Sequence, residues 1–342
     1  MNMNKTFKRM LKQSEFYVFL IIIVFALIIE AKSGLFFTNN NLVDRLRSMI
    51  VPSIYALCAL LAFVSTGPDV SFPLIGALSS YLAIVITEGL GLAGAPWIVS
   101  FLIGTFFGCL MGALNGFIIV KYRFPSLIVT LGTSSIFNGI LLGAFEAGRM
   151  YLPENLENFA RTPLLTVKNA ETGLGSTLPM TFLIMVFLYI VAYFVLNKTM
   201  VGRGVYAVGG DEVSAERAGF NVKAIRFGVF VVNGGLAAIG GLCYAVQAIR
   251  YLPTEYEGAE MEVIAAVILG GTRMTGGVGT LKGCLLGTLL LTMVTNSLIM
   301  LGIPIEWQKV FIGAIIIIGT AVSAIQSHAG AKVKTRLKKE AA

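Results

Sequence analysis

The sequence of 342 residues is 56% hydrophobic and 13% charged, and it carries a net charge of +8 with a mean hydropathy of +0.83. Soluble domains carry about 25% charged residues, and here the charges are confined to junctions between long apolar blocks, which excludes a soluble protein. Continuous blocks of about 20 apolar residues predict membrane-spanning helices rather than a barrel, whose strands would alternate. The positive charge then indicates basic cytoplasmic loops and not nucleic-acid binding.

The apolar blocks predict an all-α, polytopic membrane protein of about ten transmembrane helices, some short or broken, with both termini cytoplasmic. The first helix is expected to be uncleaved, because no small-residue cleavage site follows its apolar run. The third span begins beside Asp69 and is interrupted by Pro73, and the eighth has only a short apolar stretch before Gly270 and Gly271. The predicted spans are 14–34, 49–66, 70–87, 94–120, 126–146, 177–197, 225–249, 259–273, 281–301 and 306–326.

The distribution of charge supports this topology. With both ends in the cytoplasm, 18 of the 26 Lys and Arg residues lie on the cytoplasmic side, and 12 of the 18 acidic residues lie outside. This asymmetry follows the positive-inside rule, which counts basic residues near span ends. A nine-span alternative, with the eighth segment re-entrant, places the basic C-terminal tail outside and is disfavoured. The chain 1–342 is thus expected to form one transmembrane domain.

Two loops in this topology are long. Residues 147–176 form an external loop that is polar and nearly balanced in charge, and it either receives a partner or simply connects two spans. Residues 198–224 form a cytoplasmic loop in which Asp211 suits the N-cap of a helix and Gly219 its C′ position. These signals predict a two-turn helix outside the membrane, which either seats in a groove of another protein or packs beneath the bundle.

Uncharged polar residues within the spans are the candidates for a solute pathway, since they can meet hydroxyl groups, although most such side chains bond to nearby backbone. Asp69 joins them because an ionisable group near the membrane is often functional; it equally suits a cap of the third span. The candidates are Asp69, Ser71, Asn115, Thr130, Thr133, Ser134, Asn138, Asn233, Gln247 and Asn296.

A run of glycines after the eighth span indicates a broken helix. Such breaks persist at membrane depth where they are buried or line a cavity, and small residues also allow helices to pack closely. Both interpretations stay open for these positions. The glycines are Gly270, Gly271, Gly276 and Gly277.

No catalytic site or metal site is indicated. The four cysteines have neither CxxC spacing nor a nearby histidine, and the lone His328 lies beyond the last span. No nucleophile, base and orienting group can be assembled, so neither a catalytic residue nor a metal ion or other cofactor is expected. The cysteines are Cys58, Cys109, Cys243 and Cys284.

Three segments carry a resemblance to a known family. They read GRGVYAVGGDE at 202–212 with AERAGFNV at 215–222, IAAVILGGT at 264–272 with GGVGT at 276–280, and GALNG at 112–116 with PSLIVTLGT at 125–133. In their order along the chain they resemble ribose-type ABC permeases, which belong to the binding-protein-dependent transport family that also includes branched-chain amino acid permeases. The resemblance covers most of the chain from Pro52 onwards.

The resemblance implies a multi-pass permease subunit in the bacterial inner (plasma) membrane, working in an ATP-driven importer. Its expected partners are an ABC ATPase subunit, a periplasmic or lipid-anchored solute-binding protein, and a second permease subunit in a homodimer or paralogous heterodimer. No Walker-type motif occurs, so the nucleotide site is expected on another polypeptide and the chain itself is not an enzyme. The residues implied to meet the ATPase are Asp211, Glu212, Ala215, Glu216, Arg217 and Gly219.

The resemblance implies a simple sugar as solute, a ribose-like pentose or related furanose, with nucleosides and other small polar solutes as alternatives. One segment departs from the family pattern: relatives commonly read Ile-Asp-Leu-Ser-Val-Gly where this chain reads Pro68-Asp-Val-Ser-Phe-Pro, which keeps Asp69 and Ser71. An ion-coupled secondary transporter would need carboxylates embedded in the membrane, which the middle spans almost lack. A receptor or assembly protein would leave the cytoplasmic helix unexplained. A membrane enzyme would need a catalytic site, and none is indicated.

Overall fold

Long apolar helices account for most of the structure. It is a computed structural model, and it describes residues 14–168, 175–300, 304, 307–310, 312–314 and 317. This confirms the predicted all-α, polytopic class. The helix Ser126–Gly139 continues into a π-helical turn, Ile140–Ala144. The helices of the described residues are α1 Ser14–Ser33, α2 Asn39–Ser65, α3 Phe72–Gly89, α4 Ile98–Tyr122, α5 Ser126–Gly139, α6 Glu154–Arg161, α7 Thr181–Lys198, α8 Met200–Gly210, α9 Glu212–Arg217, α10 Val222–Ala248, α11 Ala259–Leu269 and α12 Leu281–Met300.

Eight of these helices are long and apolar enough to cross a membrane, and they match eight of the ten predicted spans. The eight are α1 to α5, α7, α10 and α12. Most of α2 and α10 is buried, whereas α1 and α7 expose most of their surface. The two inner helices therefore form the centre of the bundle, and the exposed helices are available to lipid.

Close helix packing at this centre depends on glycines of α4 and α10. A Cβ atom on Gly234 would overlap the carbonyl oxygen of Gly108, and one on Gly112 would overlap that of Phe230. Without side chains at these positions the two backbones can touch, which is how membrane helices gain van der Waals contact in the absence of a hydrophobic driving force. This contact fixes where the polar residues of α4 and α10 meet.

The third predicted span is uninterrupted, which corrects the interpretation of Pro73. The helix α3 begins at Phe72, so Pro73 lies in its first turn, where its missing N–H would have had no helical partner. The proline therefore marks the start of the span, and Asp69 and Ser71 lie in the link 66–71 that precedes it.

The eighth predicted span is half helix and half irregular link. The helix α11 has 11 residues, about 16 Å by its rise, which is too short to cross a ~30 Å core. The link 270–280 follows it, with positive φ at Gly271 (+92°), Gly276 (+90°) and Gly277 (+71°). The helix α11 thus ends at Leu269, directly before these glycines. The tenth predicted span, 306–326, lies mostly outside the described residues, so ten crossings stays a prediction.

The two long loops contain structure that the sequence interpretation missed. In the loop 198–224, the helix α8 precedes the predicted one, and the Thr199 hydroxyl accepts its first hydrogen bond from the Gly202 amide at 3.2 Å. At the other end of the bundle, α6 and a two-stranded antiparallel hairpin occupy the region around 147–176. Its strands are β1 Pro163–Lys168 and β2 Gly175–Pro179.

Candidate functional site

A buried polar cluster lies where the link 66–71 meets α4 and α10. The carboxylate of Asp69 accepts hydrogen bonds from the Ser71 amide at 2.9 Å and the Ser71 hydroxyl at 2.7 Å. The amide group of Asn115 donates to the Ser71 hydroxyl at 2.9 Å. Asn233 donates to the carbonyl oxygen of Cys58 at 3.0 Å, and its Nδ2 lies 3.5 Å from Asp69 Oδ2. Four predicted pathway residues are therefore brought together.

The cluster retains unused hydrogen-bonding capacity. The Oδ1 atoms of Asn115 and Asn233 are buried and have no partner within the described part of the chain. The hydroxyl of Tyr55 is in the same condition, and Tyr55 lies one turn along α2 from Cys58. Buried polar atoms are normally satisfied, and each of these three oxygens can accept a hydrogen bond from a donor that the described residues do not supply.

The other predicted pathway residues behave differently. Thr130 joins the cluster, because its hydroxyl accepts from the Val70 amide at 3.3 Å. Thr133 instead bonds to a carbonyl oxygen of its own helix, and Asn138 donates to Glu257 at 2.7 Å at an exposed site. Gln247 Nε2 lies 3.5 Å from the Thr181 hydroxyl. Ser134 on α5 and Asn296 on α12 are half-buried and carry no bond to the cluster.

The short helix α9 has the caps that its sequence predicts. The Asp211 carboxylate accepts from the Ser214 amide at 2.9 Å, and Gly219 adopts φ +87° just beyond the helix. The Gly219 amide donates to the Glu216 carbonyl, and the Phe220 amide donates to a carbonyl one residue earlier, at Ala215. This pair of bonds is the Schellman arrangement, so the helix is closed at both ends by its own residues.

One face of α9 is anchored and the other is free. Ala215 is buried against Val208 and Val222, which lie on α8 and α10. The carboxylate of Glu212 forms an ion pair with Arg226 of α10 at 2.9 Å. The remaining side chains of α9 are exposed, namely Val213, Ser214, Glu216 and Arg217. The helix therefore presents a small, fixed, mixed surface away from the bundle.

A backbone contact, termed here the glycine joint, connects this loop to the broken eighth span. It comprises Val64, Gly209, Gly210, Gly276 and Gly277. The Gly277 amide donates to the Val64 carbonyl oxygen at 3.0 Å. A Cβ atom on Gly209 would overlap that same oxygen, and one on Gly276 would overlap the Gly209 carbonyl. Three chain segments thus meet without intervening side chains.

The joint is reinforced by a tyrosine and borders a cavity. The Tyr206 hydroxyl of α8 donates to the Gly279 carbonyl at 2.9 Å, and burial raises the pKa of Tyr206, which keeps the phenol protonated. Beside it, a polar cavity of about 230 Å³ is lined by Thr66, Asp211 and Thr275, among others. The joint therefore links the start of α9 to the segment that carries the buried cluster.

Sequence interpretation found part of this site. Gly276 and Gly277 belong to the glycine joint, whereas Gly270 packs against Gly283 of α12, and Gly271 forms the turn after α11. The contributions of Val64, Gly209 and Tyr206 were missed, although the paired glycines before Asp211 were a usable signal. Among the described residues, no group of three His, Cys, Asp or Glu side chains is placed to hold a metal ion.

Comparison with known proteins shows similarity along most of the chain. Residues 41–320 match the family model described as branched-chain amino acid transport system / permease component. The chain is 32% identical over 318 residues to the autoinducer 2 import system permease protein LsrC of Enterobacter sp. (strain 638), which covers 92% of this chain and 88% of the relative. No solved structure shows a significant match.

Two further relatives extend the comparison. The ribose import permease protein RbsC of Haemophilus influenzae is 28% identical over 303 residues, covering 88% of this chain and 90% of the relative. The probable ABC transporter permease protein YphD of Escherichia coli (strain K12) is 32% identical over 322 residues, covering 94% and 92%. The resemblance to ribose-type ABC permeases and a multi-pass position in the bacterial inner membrane are thereby confirmed. The chain belongs to the branched-chain amino acid transport system permease family.

Proposed function

We propose that this chain is the translocation subunit of an ATP-driven, binding-protein-dependent importer of a simple sugar, a ribose-like pentose or related furanose. The observation that carries the proposal is the buried cluster at the centre of the bundle. Its unpaired oxygens at Asn115 and Asn233 suit a solute that presents several hydroxyl groups. Relatives named for ribose and for autoinducer 2 support the same class of solute.

The cluster also supports a gated path. Asp69, Ser71, Asn115 and Asn233 are all at most 1% exposed, so a solute can reach them only when the helices part. Movement of the link 66–71 relative to α4 would break the Asn115–Ser71 bond and open the cluster. Opening therefore requires force, which in this proposal comes from a partner ATPase.

The helix α9 is the proposed contact with that ATPase. Its exposed face, its two caps and its anchoring through Ala215 and Glu212 suit a rigid helix seated in a groove of another protein. The sequence has no Gly-x-x-x-x-Gly-Lys-Ser/Thr motif, so ATP hydrolysis is assigned to the partner. Displacement of α9 would reach α2 and the link 66–71 through the glycine joint.

The opposite end of the bundle is the proposed docking platform for a solute-binding protein. The ring of Trp97 stacks on Phe159 of α6 at 4.3 Å, and buried Asn155 donates to the Ser100 hydroxyl at 2.9 Å. These contacts hold α6 firmly on the bundle, as a platform requires. A second permease subunit, identical or paralogous, would complete the path.

Uptake by reconstituted complexes tests the proposal. The chain is placed in proteoliposomes with the ATPase that copurifies with it, and with its binding protein loaded with ribose, autoinducer 2 or a nucleoside. ATP-dependent uptake of a furanose sugar is expected. ATP-dependent uptake of the nucleoside alone would replace the sugar assignment with the nucleoside alternative, and uptake driven by a proton gradient without ATP would refute the importer mechanism.

A further inference from the structure

A second buried charge lies at the opposite end of α2 from the glycine joint. Arg45 is 5% exposed, and its Nε and Nη2 atoms have no hydrogen-bond acceptor among the described residues. The guanidinium carbon lies 3.2 Å from the centroid of the Phe36 ring, so one face of the cation is stacked on an aromatic ring. The proposed transport mechanism makes no use of this group.

The surroundings hold this cation in a fixed position. The turn between α1 and α2 is built by Glu30, whose carboxylate accepts from the amides of Phe36 at 2.9 Å and Phe37 at 3.3 Å. Asn41 adds a bond to the Phe36 carbonyl at 2.9 Å. The Glu30 carboxylate is therefore engaged by the turn, and the aromatic ring beneath Arg45 is fixed before any ligand arrives.

The chemistry of the unpaired edge defines the ligand. In arginine, Nε–H and Nη2–H point from the same edge of the planar guanidinium, a geometry that matches two oxygens of a phosphate or carboxylate. Arginine remains charged in proteins, and a buried charge without a partner is strongly unfavourable. The unpaired edge of Arg45 is therefore complementary to an oxyanion, which reaches the buried Nε and Nη2 atoms when the side chains that cover them move aside.

The position of the site in the membrane selects among oxyanions. The helix α2 has 27 residues, about 40 Å, which exceeds a ~30 Å hydrocarbon core, so its first turns lie near the level of lipid head groups. Around Arg45, four large apolar side chains are between 40% and 55% exposed and can contact acyl chains. These side chains are Leu35, Phe37, Leu42 and Leu46. An oxyanion at this depth with apolar neighbours is the phosphate of a phospholipid.

We infer that Arg45 and Phe36 form a specific phospholipid site, in which the Arg45 guanidinium binds the lipid phosphate through two hydrogen bonds. The lipid's acyl chains lie against the apolar rim formed by Leu35, Phe37, Leu42 and Leu46. By the predicted topology the site faces the outer leaflet. The binding is independent of the solute and of ATP, so it stands or falls separately from the transport proposal.

Native mass spectrometry of the full chain in detergent tests this site. The probes are phosphatidylglycerol, a galactolipid that lacks phosphate, and inorganic phosphate. The wild-type chain is expected to retain one phosphatidylglycerol, and Arg45→Gln to bind it at least tenfold more weakly. Arg45→Lys keeps the charge but cannot form two parallel hydrogen bonds, so its affinity for phosphatidylglycerol should be intermediate. Arg149→Gln, which removes an exposed charge of the predicted external loop, is the control and should bind as the wild type does.

Several outcomes would overturn the inference. If Arg45→Gln retains phosphatidylglycerol as well as the wild type does, or if the wild type binds the galactolipid as well as phosphatidylglycerol, the proposed phosphate contact is contradicted. Saturation by inorganic phosphate without any retained lipid would show a simple anion site. If Arg45→Gln loses a dimer that the wild type forms, while its lipid binding is unchanged, the guanidinium edge of Arg45 binds a carboxylate of a second chain instead. If Arg45→Gln fails to fold, Phe36→Leu replaces it, since it removes only the stacked ring and should weaken lipid binding.

Discussion

The amide of Gly277 donates a hydrogen bond to the carbonyl oxygen of Val64 at 3.0 Å. This bond ties the broken eighth span to the last turn of α2, two segments that lie far apart in the chain. Gly209, the penultimate residue of α8, touches both segments, and this contact is possible only because glycine has no side chain. Motion of α8 therefore has a direct backbone route to the segment that carries Asp69.

Gly209→Ala should impair transport by separating these segments. The added Cβ would overlap the Val64 carbonyl, and overpacking of this kind costs about 1–3 kcal/mol. We expect at least a tenfold loss of ATP-dependent uptake in proteoliposomes, accompanied by a lower melting temperature. Gly132→Ala on α5 is the control, since its Cβ meets open space. Equal uptake by the two variants would show that close contact at the joint is not required.

Glu216→Trp should uncouple hydrolysis from transport. Glu216 is exposed on α9, so a large ring there leaves the bundle unchanged and alters only the surface proposed to meet the ATPase. We expect uptake to fall while basal ATP hydrolysis by the complex and the melting temperature of the chain are retained. Arg149→Trp, at an exposed position of the predicted external loop, is the control. Normal uptake after Glu216→Trp and other bulky changes on α9 would contradict the proposed contact.

Asp69→Ala and Asp69→Asn should separate the structural role of the carboxylate from its role in transport. The alanine variant leaves the Ser71 amide and hydroxyl unpaired in a buried site, which costs about 1–3 kcal/mol. The asparagine variant keeps one acceptor and should unfold nearer to the wild-type temperature, yet lose most uptake because its amide NH₂ faces that of Asn233. Asp44→Asn at an exposed position is the control, and full uptake by Asp69→Asn would exclude the cluster from the path.

Gly234→Ala should destabilise the bundle far more than Gly228→Ala, although both are on α10. The Cβ at Gly234 would overlap the Gly108 carbonyl of α4, whereas the Cβ at Gly228 meets no atom within 4 Å. We expect a loss of several kcal/mol for the first, and a small gain for the second because alanine favours helix. Thermal unfolding of the purified chain measures both, and similar melting temperatures would contradict close α4–α10 packing.

Several features were predictable because they depend on neighbours within about four residues. The caps of α9 at Asp211 and Gly219 are of this kind, since each bond joins residues a few positions apart. Apolar blocks likewise located eight spans, because crossing hydrocarbon requires length and low polarity and nothing more. Two local interpretations were wrong or incomplete. Pro73 starts a helix rather than interrupting one, and the predicted loop 198–224 contains a second helix, α8, that was not predicted.

The sequence by itself determined a polytopic helical protein, the caps of its short helix α9 and its family. Only the tertiary structure decided which polar residues meet, because Asn115 lies 44 positions from Ser71, and Asn233 lies 164 positions from Asp69. Helices in lipid associate where small residues let backbones approach, and hydropathy carries no record of those partners. The meeting of Gly209 with Val64 and Gly277, and the unpaired edge of Arg45, therefore became visible only in the folded chain.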